Sequence, residues 1–94
     1  MLYCLFCKDK ENSIEIRMQN RERHLNYVAE TNVVKYAGPL LSDDDQMIGS
    51  LIIIDVQDKK EAKIWSENDP YMKANLFAKI EILKFLREIP SSHT

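Results

Sequence analysis

Glycine and cysteine are scarce in this chain, two of each in 94 residues, and proline occurs three times. No phosphate-cradling glycine loop, nucleophile elbow or metalloprotease helix is spelled anywhere along it. An excess of positive charge is also missing: thirteen Lys and Arg face fifteen Asp and Glu, a formal charge of -2. Binding to a phosphate backbone runs on counterion release by basic side chains, so nucleic acid is a poor partner for this composition. Long apolar runs are lacking as well. The longest aliphatic run, Leu51 to Ile54, is four residues, against the roughly 20 that a bilayer-spanning helix needs. The start, Met1 to Phe6, is too short for a signal-peptide core and has no basic flank. The expectation is a cytoplasmic protein without a membrane partner.

What is present is an ordinary globular composition, 45% hydrophobic and 30% charged, and a length that suits one domain with a small core, here taken as residues 1–89 followed by a tail over 90–94. Cys4 and Cys7 form a C-x-x-C. A redox dithiol or half a zinc site would need the two sulfurs on one side, yet Leu2 to Cys7 reads as a strand, on which residues three apart point to opposite faces. The other soft metal ligands are only His24 and His93. Buried structural thiols are expected, and no metal site. Asp43, Asp44 and Asp45 lack the spacing of a calcium loop and read as a solvated turn.

Turn signals divide the rest. After a charged loop from Lys8 to Ser13, Met18, Leu25, Val28 and Ala29 recur at helical spacing, predicting an amphipathic helix from about Ile16 to Asn32 with that face buried. Val33 to Ala37 reads as a strand stopped by Gly38-Pro39, and Ile48 to Val56 as the next, the two forming a hairpin. Gly49 reads as a position needing a small residue beside another backbone or a ligand. Asp58 and Glu61 resemble a capping box opening a second helix, with Ala62 and Trp65 on its apolar face, that ends near Asn68; Asp69-Pro70 is then a loop corner. The last segment fits a helical stripe and an alternating strand alike. The order strand, helix, strand, strand, helix asks for one more strand, placed at Lys79 to Leu86. The predicted fold is α+β, a ferredoxin-like βαββαβ sandwich with an antiparallel four-stranded sheet.

The first and third strands are nearly continuous apolar runs, where a sheet with one wet face should alternate. Two helices cover one face only, so a homodimer packed through the other is expected.

Arg21-x-x-His24-Leu25, then Ala37-Gly38-Pro39-Leu40-Leu41 with acidic turn residues and Gly49-Ser50-Leu51, then Asp69-Pro70-Tyr71 with Ala74 and Leu76-Phe77, resemble the YCII-related family. One departure is Asn75, where the family pattern usually carries glycine. The resemblance implies a ferredoxin-like fold that dimerises into an α+β barrel, and a site built on His24 and Asp69 as the catalytic pair. It implies proton removal with loss of a leaving group as chemistry such a site can support. An imidazole can take or give a proton at neutral pH, while a carboxylate fixes its tautomer. Arg21 is assigned an anionic or enolate oxygen of the substrate, Ser50 a hydrogen bond to it, and Tyr71 the pocket wall. No cofactor is expected. The functional expectation is a small lyase- or isomerase-like enzyme acting on a small carbonyl or phenolic substrate; the alternative is a non-catalytic dimeric module that binds a small ligand or another protein. A His24–Asp69 hydrogen bond at the rim of a partly apolar cavity favours the enzyme, and a His24 exposed on a convex surface favours the module.

Overall fold

The computed structural model describes residues 1–90; of the expected tail over 90–94, residues 91–94, and with them His93, lie outside the described residues. The elements run β1 (Leu2–Asp9), α1 (Ile14–Thr31), β2 (Val34–Leu41), β3 (Met47–Asp55), α2 (Lys59–Glu67), α3 (Pro70–Lys73) and β4 (Phe77–Phe85). The four strands form one antiparallel sheet in the order β2-β3-β1-β4. This is the expected ferredoxin-like α+β arrangement, and the ambiguous last segment is its fourth strand. Among the described residues no helix is long and apolar enough to cross a membrane.

Alternation along β1 sorts its residues between two faces. Tyr3, Leu5, Cys7 and Asp9 are buried beneath the helices, with Leu5 opposite Ile52 and Tyr3 opposite Ile54 on β3. Ala62 and Trp65 of α2 and Leu76 close the same core. The α2 N-terminus is held as a box shifted by one residue: Asp58 accepts from the Glu61 amide at 2.9 Å, and the Glu61 carboxylate accepts from the Gln57 amide at 2.9 Å. Trp65 Nε1 donates to Thr31 Oγ1 at 2.9 Å and the Tyr27 hydroxyl donates to the Trp65 carbonyl at 2.7 Å, so α1 and α2 are tied by satisfied polar ends of aromatic residues. Cys4 lies half-buried and Cys7 buried, on opposite faces as the strand period requires. Burial pushes the Cys7 thiol up to about 12, helped by the nearby Asp69 charge. It is an inert core group.

Three expectations are corrected. Gly38-Pro39 does not stop the second strand, which runs on to Leu41. β2 is an edge strand, where a missing N–H can face solvent without breaking the ladder. The helical face of α1 defined by Met18 and Leu25 is not the buried one; these are 53% and 45% exposed, and the buried residues are Arg17 and His24. A polar face is turned inward there because other buried polar groups meet it. Asp69-Pro70 is more than a corner: Asp69 caps α3, with Pro70 at the first helical position, where its lack of an N–H is harmless. Gly49 has the close approach expected of it, since a Cβ there would collide with the Cys7 carbonyl oxygen. Asn75 takes φ 62°, the left-handed conformation that glycine favours and asparagine tolerates, so the departure from the family pattern leaves the loop's shape intact.

The other face of the sheet is apolar too. Phe6 opposite Leu51, Cys4 between Ile53 and Leu83, and Leu2 opposite Phe85 form a continuous patch, with Phe6 44% and Leu83 54% exposed.

Candidate active site

Chain direction brings five segments to one end of the helix-covered face. β1 ends there, α1 begins, the β2–β3 hairpin turns, α2 ends, and α3 folds back over α1. Six polar or aromatic residues are thereby buried together: Asp9, Arg17, His24, Ser50, Asp69 and Tyr71.

His24 Nδ1 lies 2.8 Å from Asp69 Oδ1, and the same oxygen accepts from the Tyr71 amide at 2.9 Å. The carboxylate is thus fixed as a helix cap before it ever meets the imidazole, a combination of N-capping and histidine orientation in one group. The Tyr71 ring stacks on the imidazole with centroids 4.1 Å apart and planes 13° from parallel, and the Arg17 guanidinium carbon stands 4.8 Å from the centre of the same ring. Arg17 and His24 are seven residues apart on α1, about 10.5 Å along its axis, so the tyrosine ring fills the gap between them.

Arg17 is held from behind. Its Nε donates to Asp9 Oδ2 at 2.7 Å, and its Nη2 to Asp9 Oδ1 at 2.9 Å and to Ser50 Oγ at 2.8 Å. Burial works to lower the pKa of the guanidinium, but the two-pronged Asp9 bond outweighs it and raises it, keeping the charge in place. Burial raises the Tyr71 phenol, with the charges of Arg17 and Arg21 pulling the other way.

Arg17, His24, Ser50 and Tyr71 line a cavity of about 160 Å³, whose apolar wall includes Leu25, Val28, Pro39 and Ile52. His24 Nε2 makes no hydrogen bond among the described residues and is not a buried orphan, and the His24 and Arg17 side chains both line this cavity. A larger, more open groove of about 860 Å³ lies along the outer side of α1. Its Asn20, Arg23 and Asn68 side chains bond to one another or to their own helices, and it has the character of solvated surface. Among the described residues no three His, Cys, Asp or Glu side chains converge as a metal site.

Of the expected site residues, His24, Asp69, Ser50 and Tyr71 meet. Arg21 also lines the cavity, but from its exposed rim. The interior cation is Arg17, which sequence reasoning missed along with Asp9. A signal for both exists. At about 100° per residue, position 17 lies about 20° from His24 around the helix and position 21 about 60°, and Asp9 continues the inward series Tyr3, Leu5, Cys7.

The YCII-related domain family matches residues 1–86. An uncharacterised protein of Haemophilus influenzae is 31% identical over 90% of this chain and 96% of its own length. Protein YciI of Escherichia coli is 27% identical over the same shares. Among solved structures, the 5-chloro-2-hydroxyhydroquinone dehydrochlorinase of Burkholderia phenoliruptrix, in complex with 2,5-dihydroxybenzoquinone, superposes with a TM-score of 0.86 at 30% identity, covering 97% of this chain and 99% of that one.

Proposed function

This chain belongs to the YCII-related family, and from that premise we propose that it is a small enzyme in which His24 and Asp69 move a proton on a small carbonyl or phenolic substrate. The observation that carries the reading is the 2.8 Å His24–Asp69 contact with Nε2 left open to a partly apolar cavity. Asp69 holds the proton on Nδ1, so Nε2 presents its lone pair. Nε2 takes a proton from the substrate, the electron pair moves onto the substrate oxygen, and Arg17 Nη1 with the Ser50 hydroxyl holds the oxyanion that forms. Collapse of the oxyanion then expels a leaving group from the neighbouring carbon, the imidazolium giving its proton to that group or to water, or draws the proton back from the imidazolium at another position. Asp69 stabilises the imidazolium in between. The similarity to a dehydrochlorinase with a hydroxyquinone bound supports this chemistry and leaves the substrate of this chain open to assay.

The enzyme works as a homodimer in this reading, its apolar outer sheet face covered by a second copy. Light scattering at micromolar concentration is expected to give twice the chain mass, and Leu51→Lys to split the dimer by placing an unpaired charge in the interface; a monomeric wild type contradicts it. For the chemistry, a panel of small hydroxyquinones and enolisable carbonyl compounds is incubated in D₂O and followed by NMR. Wild type is expected to speed hydrogen exchange or leaving-group release on at least one, and His24→Asn to abolish it. A panel on which the two proteins behave alike overturns the reading.

A further inference from the structure

The charges around the cavity do not cancel. Arg17 is neutralised at 2.7 Å by Asp9, and His24 is paired with Asp69. Arg21 lines the same space, and makes no ion pair or hydrogen bond among the described residues. Among the described residues no Asp or Glu lines the cavity; Asp9 and Asp69 sit behind the groups that face it. The cavity thus has an interior oxyanion cradle, a base, and one uncompensated cation at its mouth. Resting on the proton-transfer reading above, we infer that Arg21 selects substrates carrying a permanent carboxylate, held at the rim while the reacting oxygen sits on Arg17 and Ser50.

Size and spacing define the class further. A volume of about 160 Å³ is close to the roughly 150 Å³ that accommodates a benzene ring. Arg17 and Arg21 are one helical turn apart, about 6 Å along α1, a distance that one substituted six-membered ring spans. The ligand is therefore a single ring, or a chain of like size, with a carboxylate at one end, a hydroxyl or carbonyl at the other, and an apolar edge against Leu25, Val28 and Pro39. Two guanidinium groups serve different tasks: the buried one, rigid and prepaired, meets charge that develops during reaction, and the exposed one meets charge already present.

The test is a binding experiment, independent of turnover, with a matched pair of probes: 2,5-dihydroxybenzoate and hydroquinone share a ring and its two hydroxyls and differ in the carboxylate. Titrations are followed by NMR at the His24 ring. Wild type is expected to bind the benzoate about five- to tenfold more tightly. That preference should shrink as salt is raised from about 0.05 to 0.5 M, because a rim charge is screened. Arg21→Gln is expected to bring the two probes within about twofold, and Arg21→Lys to retain part of the gap. Asp69→Asn, in which the amide oxygen can still cap α3, is expected to keep the preference although proton transfer is lost, so failure of the proton-transfer pair and failure of this selectivity are read separately. Equal affinities in wild type, a benzoate that does not bind, or a preference that survives Arg21→Gln each overturn the inference.

Discussion

The helix-covered face of the sheet has two ends that differ in kind. At one, Tyr3, Leu5 and Ile54 of β1 and β3 share a core with Ala62 and Trp65 of α2, and the Trp65 indole finds its partner in Thr31. At the other, the same two strands finish in Asp9 and Ser50 and meet Arg17, His24, Asp69 and Tyr71. The strands and the degree of burial are alike; the helices and the chemistry differ. Burying apolar area stabilises a chain this small, whereas burying a charge pair returns little net stability against apolar residues of the same volume. The polar end is therefore where this fold gives up stability to hold groups in place.

Breaking the polar end from one side has the largest expected effect. Arg17→Met leaves Asp9 buried without its partner and is expected to lose about 3 to 5 kcal/mol in urea unfolding. Asp9→Leu together with Arg17→Met should restore much of that loss while the proposed oxyanion cradle is gone, which would separate the stability of this end from its chemistry. If the double variant is as unstable as the single one, the contrast between the ends is mistaken.

The apolar end should respond in stability alone. Ile54→Val is expected to cost about 0.5 to 1.5 kcal/mol, with binding of the cavity probes unchanged. The smallest effect is a pH slope. Burial, aided by the Asp69 charge, raises the Tyr27 phenol to about 12, against about 10 in the unfolded chain. The unfolded state releases its proton first, so this contribution is full below about pH 10 and lost as pH rises toward 12. Unfolding measured across that window should show a shallower decline in Tyr27→Phe.

The same contrast explains what could be read from the sequence. The apolar end follows periodicity, and β1, β3, α2 and the outward sheet face were legible from residues such as Leu5, Ile52 and Trp65, whose spacing maps directly onto burial. The polar end inverts that rule. Ranking helical faces by hydrophobicity selected Met18 and Leu25 and passed over Arg17 and His24, which are buried because Asp9, Ser50, Asp69 and Tyr71 meet them from distant parts of the chain. The family resemblance supplied His24 and Asp69, Ser50 and Tyr71; it pointed to Arg21 as the cation that holds a substrate oxygen, where the helical angle favours Arg17 for the interior. Gly38-Pro39 misled because whether a proline ends a strand depends on whether the strand is an edge, a property of the whole sheet. The short helix α3 is not legible because Asp-Pro reads equally as a turn and as an N-cap followed by Pro at the first helical position, and four residues carry no period to decide between them.

The account depends most on His24 and Asp69 acting as one unit, and a double-mutant cycle on the rate of whichever panel compound wild type turns over measures that directly. His24→Asn and Asp69→Asn are each expected to lower the rate by about 10² to 10⁴, with the double variant scarcely slower than either and all three folded. Losses that multiply in the double variant, or a rate that survives His24→Asn, would contradict the account and leave the pair as a structural contact of α1 with α3.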